Sequence, residues 1–257
     1  MHVDPVTVAV TLIAIFLVSF PKGAFGGGLG LLGIPILSFV MDPVSAGALF
    51  APMFVVMDIA GLRYWRPATW SRPDVKIIAP SVVVGIGIGY AVLDRLDPHA
   101  IAILIAVITL GFAIHFFASG RQVRARPRST PRAVAAGTAS GVASMVAHSG
   151  GPPLAAYVLS LGLSKEMVAG TMAVCFMAGN VTKAVPWLLL ARPDAGLVTL
   201  MVISVPAVVL GVWAGWQLHQ RVDQRQLYTW MYAILILTSL KLLADGVTGY
   251  VPGLKVW

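Results

Sequence analysis

The 257-residue chain has few charged side chains and almost no cysteine. Charged residues make up 11% of it, whereas soluble domains have roughly 25%. A surface that faces water needs more charge, so this composition favours an outer face that meets lipid. The single cysteine, Cys175, excludes an internal disulfide and a cysteine-rich metal site, and its place within an apolar run predicts a small core residue.

Acidic residues are scarce as well, with 10 Asp and Glu against 18 Lys and Arg. The basic residues do not cover a face; they cluster in two short polar stretches, residues 63–76 and 121–132. Basic loops between apolar runs are typical of the cytoplasmic loops of membrane proteins. The excess of positive charge therefore indicates a membrane topology, and we expect no nucleic-acid partner.

Motifs for nucleotides are missing too. No Walker A lysine motif is present, so direct use of ATP is not expected. Gly28-x-Gly30-x-x-Gly33 matches the dinucleotide fingerprint in form, but membrane-length apolar runs flank it where a βαβ unit would be required. We expect neither a cofactor nor a bound metal. The first apolar run has no basic residue before it, which favours a membrane segment over a cleaved signal peptide.

Apolar runs of membrane-crossing length, about 20 residues, recur along the whole chain. They are residues 5–40, 43–62, 77–93, 99–120, 133–161, 167–190, 196–218 and 226–243. The first and fifth are too long for one plain helix, and both contain glycine-rich breaks. The expected fold is an all-α polytopic membrane protein of about eight transmembrane segments, of which the first and fifth are broken or re-entrant.

An internal repeat relates the two halves of the sequence. The pair Gly85-x-x-x-Gly89 recurs 126 residues later, and the pair Gly27-Gly28 recurs 123 residues later as Gly150-Gly151. Glycines spaced by four let helices approach closely in lipid, so we expect the Gly85–Gly89 pair and its copy to be packing sites. Internal repeats of this kind are common in secondary transporters.

The chain is therefore expected to divide into two repeats of four segments. The first transmembrane repeat covers residues 1–120, a basic cytoplasmic linker covers 121–132, and the second repeat covers 133–257. If the broken segments cross the membrane once, the repeats run parallel. If they fold back as re-entrant hairpins, the repeats are inverted, and the sequence leaves both arrangements open.

The two breaks indicate a ligand site. In hydrocarbon, a broken helix persists only where protein or a watery cavity surrounds its free backbone groups. A break at glycine exposes N–H groups and the positive end of a helix dipole, and it leaves the backbone open to an anion. The alternative is that the glycines only pack helices closely. The residues concerned are Gly26, Gly27 and Gly28 in the first repeat and His148, Ser149, Gly150 and Gly151 in the second.

Polar side chains inside the predicted spans are further candidates, because such residues are costly in lipid. Lys22 either attracts an anion or anchors the edge of its segment, and Lys183 either serves the site or reaches to the headgroups. Asn180 shares a helix face with Lys183. Asp58 is a candidate proton carrier, with pairing to Arg63 as the alternative.

Two histidines also fall within the predicted spans. His148 adjoins the second break, and we expect it to contact the substrate. His115 lies near the end of its segment and is expected to be structural.

With these broken segments, the sequence resembles the sulfite exporter TauE/SafE family, also called the 4-toluene sulfonate uptake permease family. The resemblance covers about residues 6–245. Gly26-Gly27-Gly28 followed by Ile34-Pro35-Ile36-Leu37 is close to the family pattern, whereas Ser149-Gly150-Gly151-Pro152-Pro153 has serine in place of one glycine and an early proline. The resemblance implies secondary transport of sulfur-containing anions such as sulfite or sulfoacetate.

We therefore expect a multi-pass protein of the cytoplasmic (inner) membrane that moves a small sulfur-containing anion by alternating access and is not an enzyme. Its partners would be the anion and the lipid bilayer, and homo-oligomerisation is left open. The alternatives are a passive anion channel, a transporter of another small organic anion, or an intramembrane enzyme using Ser149 and His148. The expected substrate-binding residues are Lys22, Gly26, Gly27, Gly28, His148, Ser149, Gly150, Gly151, Asn180 and Lys183, with Asp58 as the proton-coupling candidate.

Overall fold

The computed structural model describes residues 4–27, 33–37, 39–91, 98–118, 125–191 and 193–249, so Gly28 lies outside the described residues. This part of the chain is helical and contains no strand. Its α-helices are α1 (Pro5–Phe25), α2 (Gly33–Leu37), α3 (Pro43–Leu62), α4 (Arg72–Ala91), α5 (Pro98–Ala118), α6 (Thr130–Ala147), α7 (Gly151–Ser160), α8 (Lys165–Ala191), α9 (Ala195–Ile203), α10 (Val205–Arg221) and α11 (Gln224–Thr248).

Helix starts follow from local capping. The carboxylate of Asp4 accepts hydrogen bonds from the N–H groups of Val6 and Thr7 at 2.9 and 3.0 Å, and so begins α1. Asp223 begins α11 through a capping box with Gln226. These caps satisfy N–H groups at helix starts that have no partner within the helix.

Large aliphatic side chains remain exposed on the outer faces of the helices. Leu189, Val202 and Leu237 are 65–67% exposed. Such surfaces are unfavourable in water and suit contact with lipid. The described stretches that are long and apolar enough to cross a membrane are Pro5–Phe25, Ser45–Leu62, Arg72–Ala91, Lys165–Leu189, Ala195–Arg221 and Gln224–Thr248. The protein is therefore a multi-pass helical membrane protein.

These six stretches are fewer than the eight segments expected. The fifth expected segment is divided into α6, of 18 residues, and α7, of 10 residues. α6 is rich in small and weakly polar residues, and α7 is too short to cross a membrane alone. α5, which corresponds to the fourth expected segment, has 21 residues but is not among the six.

Both long segments break where the glycine-rich motifs indicated. α1 ends before Gly26 and Gly27, which have φ values of 77° and 141°, and α6 ends before His148, at φ 51°. The N–H groups of Gly27 and Ser149 each donate to the carbonyl six residues earlier, at 3.2 and 3.1 Å. This bond closes a helix that ends in a left-handed residue.

The second break is the tip of a hairpin. The N–H of Arg126, just before α6, donates to the carbonyl of Ser160, the last residue of α7, at 2.9 Å. The Cα of Ala125 lies 3.3 Å from where a Cβ of Gly162 would be. α7 therefore returns to the end of the molecule at which α6 begins.

The spaced glycines are packing sites, as expected. A Cβ on Gly211 would lie 2.8 Å from the carbonyl oxygen of Phe16, and one on Gly85 or Gly215 would collide with a backbone carbonyl. Through these positions α4 packs along α6, and α1 packs along α10. In both pairs the helices run parallel: Gly211 meets Phe16, and Gly215 further along α10 meets Ala24 further along α1.

Two other helix pairs run antiparallel. Asp58 of α3 bonds Asn180 of α8, whereas Gly47 near the start of α3 packs against Trp187 near the end of α8. α5 and α11 are also antiparallel, with Phe116 of α5 stacked on Tyr232 of α11 at 3.9 Å between ring centroids. Ile103 at the start of α5 lies against Gly246 at the end of α11.

Candidate functional site

A small cavity lies between α1, α3, α8 and the break between α6 and α7. Its volume is about 30 Å³, enough for about two water molecules at roughly 10–15 Å³ each. The sequence predicted six of the residues around it: Lys22, His148, Gly150, Gly151, Asn180 and Lys183. Of the described residues, Phe54, Ser144 and Phe176 also line it and were not predicted.

Lys22 and Asp58 form a buried ion pair at one side of the cavity, and their side chains are 8% and 1% exposed. The amide of Asn180 donates to the second carboxylate oxygen at 2.5 Å. Pairing of Asp58 with Arg63, the alternative considered from the sequence, is wrong, and Arg63 is exposed. Lys22 is buried in the protein and therefore does not anchor the edge of its segment.

Lys183 lies on the opposite side of the cavity. Its ammonium donates to the hydroxyl of Ser144 at 3.0 Å and is 3.2 Å from Nδ1 of His148. It also lies over the ring of Phe54, 4.5 Å from the centroid. The side chain is buried, so the proposed reach to the headgroups is wrong. Among the described residues, no carboxylate lies within 4.0 Å of this ammonium.

His148 presents a free donor at the cavity. When the ammonium of Lys183 donates to Nδ1, the neutral ring carries its proton on Nε2. Nε2 is buried and has no hydrogen-bond partner among the described groups. The residue lines the cavity, so this N–H is a candidate donor to a ligand there. Histidine is among the residues that tolerate the left-handed conformation that the break requires.

The charges around the cavity do not balance. Among the residues that the structure describes there, two ammonium groups, on Lys22 and Lys183, face one carboxylate, on Asp58. A buried charge without a counterion costs several kcal/mol, and an anion in the cavity would remove that cost. The ten-residue helix α7 begins at the cavity with Gly151 and adds the positive end of its dipole.

The other predicted residues that the structure describes do not line this cavity. A Cβ on Gly26 would collide with the backbone of Ala169, and one on Gly27 would lie 2.5 Å from the ring of Phe176. Gly27 therefore gives Phe176 the space to reach the cavity. Ser149 is buried behind the lining. His115 is exposed on α5, outside the cavity.

Several residues in and around the site recur in the sequence at a separation of 122 residues. The glycine pairs of the predicted repeat recur at a separation of 123. At 123, the unpredicted Phe54 and Phe176 do not align with each other; at 122 they do. The related pairs are Lys22 and Ser144, Gly26 and His148, Phe54 and Phe176, Asp58 and Asn180, and Trp65 and Trp187.

Fold and site together define a multi-pass helical membrane protein with a buried cationic cavity beside a broken helix, an arrangement typical of secondary transporters. The chain belongs to the sulfite exporter TauE/SafE family, whose profile matches residues 11–242. This match confirms the resemblance noted in the sequence. Neither a curated protein nor a solved structure matches the chain. The family suggests a membrane transporter of sulfur anions.

Proposed function

We propose that the protein is a secondary transporter that binds a small sulfur-containing anion, sulfite or an organosulfonate, in the cavity beside Lys183. The observation that carries this proposal is a buried ammonium that has no carboxylate partner among the described residues, next to Nε2 of His148, which has no described partner either. Family membership supports the choice of a sulfur anion. The anion supplies the negative charge that the described residues around Lys183 do not.

The donors around the cavity suit an SO₃ group, which presents three oxygens on one face. Lys183 supplies a charged donor and His148 Nε2 a neutral one, while the start of α7 at Gly151 supplies backbone polarity. The rings of Phe54 and Phe176 keep the cavity small and limit the access of water. Electrostatic attraction is stronger in such surroundings than in water.

We also propose that residues 1–120 and 133–257 are inverted repeats, joined by a cytoplasmic linker at 121–132. Two observations support inversion. α3 and α8, which occupy equivalent places in the two halves, run antiparallel, and so do α5 and α11. Asp58 also accepts a hydrogen bond from Asn180, its counterpart in the second repeat. Counterparts contact each other where they lie close to a two-fold axis.

In this arrangement the eight expected segments become six crossings and two re-entrant hairpins. The crossings are α3, α4, α5, α8, α9 with α10, and α11, and the hairpins are α1–α2 and α6–α7. The hairpins enter from opposite sides of the cytoplasmic (inner) membrane. Rocking of the halves about the Asp58–Asn180 contact would open the cavity to each side in turn, which is alternating access.

Transport fits the site better than the two other classes considered. A cavity of about 30 Å³ suits one small bound ion rather than a conducting pore. Hydrolysis would require His148 to serve Ser149 as a base oriented by a third group. Nδ1 of His148 is instead paired with the cationic side chain of Lys183.

The direct test is uptake by purified protein in proteoliposomes. Radiolabelled sulfite and sulfoacetate would be supplied singly, with unlabelled sulfite, acetate or chloride as competitors. We expect saturable uptake of at least one sulfur anion that acetate and chloride do not suppress. Absence of saturable uptake for both would overturn the substrate class. Single-channel currents far above transporter turnover would favour a passive channel.

A further inference from the structure

We propose that Asp58 carries a proton across the membrane together with the anion, by exchanging its ion pair with Lys22 for that proton. This inference rests on the proposed transport function and adds a coupling mechanism to it. In the empty site Asp58 is ionised and paired with Lys22. In the loaded site Asp58 is protonated and the anion binds both Lys22 and Lys183.

The proposal is carried by the position of one ammonium group, that of Lys22, which faces both the cavity and Asp58. Lys22 lines the cavity, and the same Nζ pairs with Asp58. An anion in the cavity and the carboxylate of Asp58 therefore compete for one cation. Buried charge pairs are costly to leave incomplete. Release of Lys22 to the anion thus favours neutralisation of Asp58 by a proton.

Few titratable groups on the helices around Asp58 could carry the proton in its place. α1 contributes Lys22, and α8 contributes Asn180 and, one turn further, Lys183. The end of α6 contributes His148, which is hydrogen-bonded to Lys183. α2 and α9 contribute no titratable side chain.

The ionisable groups of α10 lie elsewhere. His219 is hydrogen-bonded to the carbonyl of Ala24 and contacts the ring of Trp65. Arg221 is exposed at the end of the helix. Among the described residues, Asp58 is therefore the carboxylate that pairs with a cation of the cavity.

The step balances without any further reactant. A proton from solution adds to one carboxylate oxygen of Asp58 and gives a neutral carboxylic acid. The ammonium of Lys22 keeps its three protons and exchanges the carboxylate for an oxygen of the anion. On the other side of the membrane, the anion leaves Lys22, the acid returns its proton to water, and the Lys22–Asp58 pair re-forms. One proton accompanies each anion.

The closing experiment compares two assays in proteoliposomes with the membrane potential clamped at zero. The first assay measures exchange of labelled sulfite at equal pH on both sides, and the second measures its net accumulation against a pH difference of one unit. A fully coupled proton would drive about tenfold accumulation per pH unit. We expect the wild type to show both activities.

The variant Asp58→Asn keeps the shape of the side chain and cannot release a proton. We expect it to exchange sulfite while its accumulation ratio falls to about one, and we expect Asp58→Glu to recover most of the accumulation. Asp245→Asn is the matched control, because Asp245 forms a Lys–Asp pair with Lys241 in α11 and does not line the cavity.

Three results would overturn the coupling mechanism. One is accumulation by Asp58→Asn equal to that of the wild type, because sulfite uptake would then respond to pH without Asp58. Another is loss of exchange together with accumulation, which would make Asp58 a binding or structural residue. The third is a wild type that exchanges sulfite but never accumulates it. A wild type that exchanges no sulfur anion would instead refute the transport function itself.

Discussion

The two sides of the cavity, which we propose to be equivalent places in two inverted repeats, have different chemistry. On the α1–α3 side, Lys22 is neutralised by Asp58. At the equivalent positions on the α6–α8 side stand Ser144 and Asn180, which carry no charge, and Lys183 is added one turn beyond Asn180. A scaffold with near two-fold pairing of helices therefore holds a balanced pair on one side and an unbalanced cation on the other.

The same contrast extends to the tryptophans on each side. The indole N–H of Trp65 donates to the carbonyl of Lys22 at 3.0 Å and so satisfies the end of α1. The equivalent Trp187 packs on His148, and its buried N–H has no hydrogen-bond partner among the described groups. The α1–α3 side is thus satisfied internally, whereas the α6–α8 side retains polar groups that a ligand would satisfy.

We expect the largest loss of transport from a substitution that disrupts the packing between the two sides of the cavity. In Gly27→Val, the added side chain would collide with Phe176, and valine strongly disfavours φ near 141°. We expect sulfite uptake in proteoliposomes to be abolished while the protein stays folded in detergent. Gly87→Val is the matched control, because a Cβ there meets nothing within 4 Å. Full activity of Gly27→Val would show that the helix break at Gly27 is not part of the binding site.

Removing the unbalanced charge should have the next largest effect. Loss of one partner from a buried charge contact costs about 2–5 kcal/mol, so Lys183→Met should weaken sulfite binding roughly 100-fold. Thermal stability should not fall, because the substitution removes a buried cation that no described carboxylate neutralises. The control is Lys241→Met on α11. Lost binding together with lost stability would show that Lys183 holds the fold rather than the anion.

A carboxylate can also be moved from one side of the cavity to the other. Asn180→Asp places a second carboxylate against Asp58 and so cancels the net positive charge around the cavity. We expect it to weaken sulfite binding about 30-fold, or roughly 2 kcal/mol. The double variant Asp58→Asn, Asn180→Asp restores the net charge and should recover most of the affinity. Binding would be measured by isothermal titration in detergent. If the double variant binds no better than Asn180→Asp, position rather than net charge controls affinity.

Much of this organisation was readable from the sequence, because membrane segments, glycine breaks and intramembrane charges follow from the cost of placing polar groups in lipid. Lys22, Asn180 and Lys183 could be selected for that reason. Phe54 and Phe176 could not, because an aromatic residue within an apolar segment carries no such cost. Their role depends on which helices meet in the fold, which the composition of one segment does not show.

The smallest predicted effect isolates the unpartnered nitrogen of His148. Asparagine tolerates the left-handed conformation at this position; its amide can replace Nδ1 but does not reach as far as Nε2. A hydrogen bond to a charged partner contributes about 1.5–3 kcal/mol, so His148→Asn should weaken sulfite binding roughly tenfold. In His148→Gln the longer side chain reaches the place of Nε2, and the loss should be smaller. The reverse order, measured by the same titration, would mean that His148 acts through Lys183 and does not touch the anion.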